Sequence, residues 1–218
     1  LGRIIDYLKV TNLYDSTLIV FTRDHGEQLG DLYLFGKLGY FDASYHIPLI
    51  IRDPKRQLQK VKTLEHFSES VDVMPTILDW LGLEIPDQCD GRSLIPFLEN
   101  EVPRNWREEV HSEFDFRWIG SYQPMIEERF GLLPDECSLV IIRDANHKYV
   151  HMTALPPLFF DLKRDPGEFI NRVQDLDYRE LVLKYSSKML SWMMNHRDRV
   201  LANMNVEFGE LIHWRGPR

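Results

Sequence analysis

Two short apolar runs frame the first quarter of the chain. Thr17-Leu18-Ile19-Val20-Phe21-Thr22 and Ile47-Pro48-Leu49-Ile50-Ile51 are rich in β-branched and aliphatic side chains, the pattern of buried strands. Ahead of the first, residues 3–13 read as an amphipathic helix ending near Asn12, followed by a turn through Tyr14-Asp15-Ser16. Between the runs, from Gly26 to Ser44, Gly30, Gly36 and Gly39 alternate with aromatics and leucines. That spacing predicts a long ordered loop, and such loops in compact domains usually carry function. After the second run, Pro54-Lys55-Arg56-Gln57 predicts a turn and Gln59 to His66 a short edge strand. The next helix is predicted to start at Asp72 as N-cap with Pro75 in its first turn. Met74, Ile77, Leu78 and Leu81 would share its buried face, and Gly82 would end it. Pro86, Asp90-Gly91-Arg92-Ser93 and Pro103 leave residues 83–106 mostly loop.

The second half changes character. Glu109 to Phe116 reads as a strand, Leu139–Ile142 and Lys148–His151 as a hairpin turning at Asn146, and Leu158–Leu162 as a further strand before Asp165-Pro166-Gly167-Glu168. This antiparallel meander suits a small α+β unit beside a mainly parallel one. From about Asp177 to Arg199 the apolar positions Leu181, Tyr185, Met189, Trp192 and Met193 predict a helix packed on the meander. The aromatic tail from Val206 to Arg218, around Trp214, is expected to wrap over a neighbouring surface or join a homo-oligomer.

Composition narrows the function class. The 218 residues are 44% hydrophobic with a formal net charge of −8, which fits a folded globular chain and argues against nucleic-acid binding through a basic surface. No apolar run reaches the length of a membrane span. Cys89 and Cys137 form neither a metal spacing nor a disulfide framework, so a reducing, cytoplasmic setting is expected. The chain has no initiator Met and no signal-peptide layout, and it reads as beginning inside a larger domain.

The chemistry is concentrated where the first apolar run ends, at Arg23-Asp24-His25-Gly26. A strand that ends in Asp-His-Gly puts a carboxylate and an imidazole at the carboxyl edge of a sheet, where open α/β sheets hold ligands. The mixed oxygen and nitrogen donors suit Mn²⁺, Fe²⁺ or Zn²⁺ better than an all-oxygen Ca²⁺ cage. Two adjacent residues supply part of a metal shell only. Lys37, between Gly36 and Leu38, adds a cation on the same loop.

At this point a resemblance becomes specific. T-L-I-V-F-T-R-D-H-G-E-Q-L-G-D, followed by G-K-L-G-Y-F-D-A-S-Y-H-I-P-L-I-I-R-D-P, resembles the C-terminal half of the sulfatase family in the alkaline phosphatase superfamily. It is nearest the phosphonate monoester hydrolase and arylsulfatase branch. Val71 to Asp79, Asp90-Gly91-Arg92-Ser93-Leu94, and Phe160-Asp161-Leu162 to Glu168 match further family motifs in order. The fold class this implies is α/β: the C-terminal part of an alkaline-phosphatase-like α/β sandwich core over residues 1–106, a small α+β subdomain with an antiparallel sheet and long helix over 107–203, and a tail over 204–218.

The resemblance further implies that Asp24 and His25 are metal ligands and that Lys37 is the catalytic contact to the anionic group. The ion expected is divalent, Mn²⁺ or Ca²⁺ ahead of Fe²⁺ or Zn²⁺. Glu27 and Asp42 are placed to orient His25 or Lys37, with a surface role equally open, and His46 is expected to be structural. Arg23 stands where the family usually has a small hydroxyl residue, and Leu32 where relatives commonly carry a histidine. The family's nucleophile, a formylglycine matured within Cys-x-(Pro/Ala)-x-Arg, has no counterpart here: Cys89 precedes Asp90-Gly91-Arg92 and Cys137 precedes Ser138-Leu139-Val140. The expected function is therefore the C-terminal part of a metal-dependent hydrolase of small anionic esters (sulfate, phosphate or phosphonate), inactive by itself. The alternative is a degenerate module used for assembly or binding.

Overall fold

A computed structural model describes residues 1–37, 39–56, 63–114, 128–129, 131–133, 136–196, 204–207 and 210–213. Contacts divide the chain into two compact units, Leu1–Glu84 with Gly91–Glu108, and Ile85–Asp90 with Glu109–Arg218.

The first unit opens with helix α1 (Gly2–Val10), which buries none of its residues. The two apolar runs form strands β1 (Ile19–Thr22) and β4 (Leu49–Arg52), paired antiparallel with Ile19 opposite Arg52 and Thr22 opposite Leu49. Among the described residues every strand pair is antiparallel, where the sequence suggests a mainly parallel unit. The chain between β1 and β4 folds back without a crossover helix, the connection a parallel pair would need. It contains the short hairpin β2 (Gln28–Leu29) and β3 (Phe35–Gly36), then one helical turn, α2 (Asp42–Tyr45). Of the edge strand expected over 59–66, residues 59–62 lie outside the described residues and Thr63–His66 form no strand.

Helix α3 (Val73–Leu81) ends as the sequence predicts. Gly82 sits at φ 71°, its N–H donates to Asp79 O, and Leu83 N–H reaches back to Leu78 O. Its start is different. Asp72 does not cap α3: it is the third residue of a turn capped by Glu69, and its carboxylate accepts the Glu69 N–H at 2.8 Å while Glu69 caps in return. Fully buried, Asp72 also accepts the Arg92 N–H at 2.8 Å and pairs with the Arg107 guanidinium. The buried side of α3 differs as well. Pro75 and Thr76 are buried, whereas Met74, Ile77 and Leu81 of the expected core stripe are exposed. Thr76 carries that burial through hydrogen bonds, donating to Asp72 O and accepting the Leu94 N–H at 2.9 Å. Within the 83–106 stretch a single helical turn forms, α4 (Ile95–Leu98), whose Phe97 packs edge-on against Trp106 at 4.8 Å.

The second unit is a four-stranded antiparallel meander in the order β5 (Glu109–Phe114), β6 (Leu139–Asp144), β7 (His147–Met152), β8 (Leu158–Asp161). Helix α5 (Arg179–His196) lies on it, and Ile142, Tyr149, Phe159, Tyr178, Tyr185 and Met189 form the core between them. The β6–β7 turn is built by Asp144, whose carboxylate accepts the N–H groups of Asn146 and His147 at 2.8 and 2.9 Å. Tyr185 of α5 donates to the same carboxylate, and Tyr178 donates to Asp161 at 2.7 Å. Lys148 and Glu168 form an ion pair with both side chains buried. Strands β9 (Met204–Glu207) and β10 (Glu210–His213) pair with each other. Residues 115, 116 and 197–199 of the expected elements, and the tail around Trp214, lie outside the described residues. No described helix is long and apolar enough to cross a membrane.

Candidate metal and anion site

The site begins where β1 runs out. Asp24 and His25 follow directly, and the chain is clamped there: Gly26 N–H donates to Ser44 O at 2.8 Å. The clamp demands glycine. A Cβ on Gly26 would run into the Ala43 carbonyl oxygen and stand 3.0 Å from Ala43 C and 3.2 Å from Ser44 C. The loop from Gly26 to Ser44 is therefore closed at its neck, with Lys37 held inside that closed segment.

His25 is fixed by its ring. Nδ1 lies 2.7 Å from Gly26 O, and because a carbonyl oxygen only accepts, Nδ1 carries the proton. A neutral ring then leaves the Nε2 lone pair free, and Nε2 faces Asp24 Oδ2 at 3.4 Å. Two electron-rich atoms facing each other need a proton or a cation. Two donors on one ion at metal–ligand lengths of about 2.1 Å, with angles of about 90–110°, stand about 3.0–3.4 Å apart. The observed spacing matches, and a backbone carbonyl holding the far nitrogen is the usual support for a ligating histidine.

The accessibilities suit this role. The Asp24 side chain is 82% exposed and that of His25 29%. The Asp24 carboxyl is held below its ordinary range by its own backbone N–H. Its small loss of hydration opposes this, and the His25 backbone N–H and the Lys37 charge reinforce it. Asp24 and His25 face each other directly, whereas Lys37 is exposed and acts on Asp24 only through its charge. Glu27 is exposed, and Asp42 is the first residue of α2. His46 is exposed as well, with its backbone N–H bonded to Asp42 O at 2.7 Å. Among the described residues no group of three or more His, Cys, Asp or Glu side chains is placed to hold a metal, so Asp24 and His25 offer two donors of a larger shell.

The other described histidines are used in packing. His66 lies against Phe97, His111 and His196 stack on Trp192, His147 packs on Phe159, and His151 meets the Tyr149 hydroxyl. The side chain of His213 is outside the described residues. Two features of the site have no clear signal in the sequence. Gln28 is 1% exposed with its Nε2 unpartnered, and Ser44 is buried with its Oγ unpartnered. Glutamine and serine inside a glycine-rich loop read as solvated. Only their burial in the folded loop reveals otherwise.

Comparison with known proteins supplies the context. Residues 30–195 match the family model described as N-sulphoglucosamine sulphohydrolase, C-terminal, which includes Lys37 and starts just after Asp24 and His25. The multifunctional alkaline phosphatase superfamily protein PehA of Trinickia caryophylli is 54% identical over 93% of this chain and 39% of its own length. The N-acetylglucosamine-6-O-sulfatase of Bacteroides thetaiotaomicron is 27% identical over the whole of this chain and 36% of its own. Among solved structures, the phosphonate monoester hydrolase of Agrobacterium radiobacter superposes with a TM-score of 0.89 at 43% identity, covering 99% of this chain and 42% of that one. The chain thus spans well under half the length of the proteins it matches.

Proposed function

The chain belongs to the N-sulphoglucosamine sulphohydrolase C-terminal family, among the sulfatases of the alkaline phosphatase superfamily, and on that premise we propose that it is the C-terminal part of a metal-dependent hydrolase of sulfate, phosphate or phosphonate esters. The observation that carries this is the Asp24–His25 pair, with Oδ2 and Nε2 at 3.4 Å and the imidazole locked through Nδ1–H on Gly26 O. These two side chains would hold a divalent ion, and their mixed oxygen and nitrogen donors favour Mn²⁺, Fe²⁺ or Zn²⁺ over Ca²⁺. The ion would supply a Lewis acid that polarises the ester oxygen.

The remaining work falls to the chain's own groups. The Gly26 carbonyl keeps His25 in the tautomer whose Nε2 lone pair is available, and the Gly26–Ser44 clamp fixes where that lone pair points. Asp24 stays ionised, held by its own backbone N–H, the His25 backbone N–H and the Lys37 charge. The Lys37 ammonium neutralises charge on the transferred sulfuryl or phosphoryl group, or on the leaving oxygen. The nucleophile in this reading is a formylglycine, for which these 218 residues hold no Cys-x-(Pro/Ala)-x-Arg segment, and residues 1–218 alone are expected to show no hydrolysis.

The test uses the full-length protein on an aryl sulfate, a phosphodiester and a phosphonate monoester, with and without chelator. Lys37→Ala should lower kcat/KM by about 10²–10³-fold, and His25→Ala should remove hydrolysis of every ester the protein accepts. Undiminished hydrolysis in His25→Ala would overturn the assignment. A second reading, a non-catalytic assembly module, draws on Arg23 and Leu32, the two departures from the family pattern. Absence of hydrolysis by a full-length protein that lacks any Cys-x-Pro-x-Arg segment would favour it.

A further inference from the structure

Hairpin β2–β3 grows directly out of the candidate site. Asp24 and His25 precede its first strand, Lys37 follows its second, and Gln28 pairs with Gly36 at the base. One step outward Leu29 pairs with Phe35, so their side chains share a face. By strand alternation Gln28 takes the opposite face, and Lys37 follows directly after the end of β3 at Gly36. The two faces are treated differently. Gln28 is 1% exposed, whereas Leu29 is 76% and Phe35 79% exposed.

The turn at the far end adds a third apolar group. Leu32 and Tyr33 stand consecutively in the left-handed region, at φ 54° and 61°, after Gly30 at φ 112°. Two non-glycine residues there are strained. The geometry is held by Tyr33 N–H to Gly30 O at 3.0 Å, Leu34 N–H to Asp31 O at 2.9 Å and Gly30 N–H to Leu34 O at 2.9 Å. Tyr33 is 99% exposed, although an aromatic ring loses by full hydration. The Phe35 ring lies across the Gly30 backbone, 3.7 Å from where a Cβ would stand, which presents a flat aromatic surface.

We propose that Leu29, Tyr33 and Phe35 form the wall that receives the organic group of the ester, selecting flat aromatic alcohol portions over small polar ones while Lys37 meets the anionic end. This rests on reading Asp24, His25 and Lys37 as the ester site. The experiment measures kcat/KM of the full-length enzyme for 4-nitrophenyl and methyl esters of the same acid, in the wild type, Tyr33→Ala, Phe35→Ala and His25→Ala. Loss of one stacked ring should cost the aryl ester about tenfold and the methyl ester less than about twofold, with unchanged Tm. Equal loss on both esters, loss on neither, or a lowered Tm showing that the hairpin instead packs on other protein would overturn the proposal. Tyr33→Phe, which keeps the ring, should restore aryl selectivity, and its failure to do so would also count against it. His25→Ala separates the two claims: full activity there rejects the site itself, whatever the Tyr33 variants do.

Discussion

Replacing Gly26 with alanine is the perturbation whose consequence the geometry defines most sharply. The new methyl would overlap the Ala43 carbonyl oxygen and press on Ala43 C and Ser44 C at 3.0 and 3.2 Å, all of them backbone atoms that cannot rotate away. Relief requires parting the 24–26 and 43–44 segments, which stretches the 2.8 Å hydrogen bond from Gly26 N–H to Ser44 O. Overpacking of this kind costs about 1–3 kcal/mol and the lost hydrogen bond about 0.5–1.5 kcal/mol. Against this, alanine stabilises by restricting the unfolded chain, by about 0.4–1 kcal/mol. The net expectation is a loss of about 2 kcal/mol. The same parting moves Gly26 O, to which the His25 ring is bonded at 2.7 Å, so metal affinity should fall together with stability. Urea unfolding of the full-length protein, paired with calorimetric titration of Mn²⁺, reads both quantities. Gly2→Ala is the control, since nothing lies within 4 Å of a Cβ there. A Gly26→Ala protein as stable as Gly2→Ala, with wild-type metal affinity, would refute the reasoning.

Two further expectations concern the second unit. Glu168→Gln leaves the buried Lys148 ammonium without its carboxylate and should cost about 3–5 kcal/mol in urea unfolding, more than the double change Lys148→Met with Glu168→Leu; equal stabilities would contradict this. Tyr185→Phe removes the hydroxyl that bonds Asp144. Burial pushes the Asp144 carboxyl up, but the Tyr185 hydroxyl and the turn N–H groups outweigh it and hold the group below its ordinary range. A depressed carboxyl stabilises the fold above its unfolded pKa, and that contribution is lost as pH falls through the folded value. Tyr185→Phe should therefore cost about 1.5–3 kcal/mol near neutrality and distinctly less at pH values below the carboxylate range, whereas a pH-independent cost would contradict the coupling.

Local rules carried much of the fold into the sequence. Alternation and a turn-forming Asp-Ala-Asn segment make the β6–β7 hairpin legible, and Gly82 marks the end of α3 because only a short-range backbone demand is involved. Asp72 illustrates the opposite case. Its type fits an N-cap, yet its partners Arg92 and Arg107 are brought in from 20 and 35 residues away, which no local pattern encodes. The strand direction of β1 and β4 is likewise a tertiary property, since identical apolar runs serve parallel and antiparallel pairs. The Met74-Ile77-Leu81 stripe is legible as apolar, whereas the burial of Thr76, which bonds the Leu94 N–H from 18 residues away, is not. At the site, Asp24, His25 and Lys37 stand out because charged side chains beside glycines are conspicuous. Gln28 and Ser44 do not, because burial of a neutral polar residue leaves no mark on spacing.

The central claim is that Asp24 and His25 together hold a divalent ion. Metal content of the full-length protein, measured after gel filtration for the wild type, Asp24→Ala and His25→Ala, tests it most directly. Removing a ligand should weaken retention at least as much as the 10–100-fold typical of lost supporting groups. Close to one tightly held ion per wild-type chain is expected and only a small residue of it in either variant, with far-ultraviolet circular dichroism unchanged. Full wild-type metal content in a folded His25→Ala protein would contradict it.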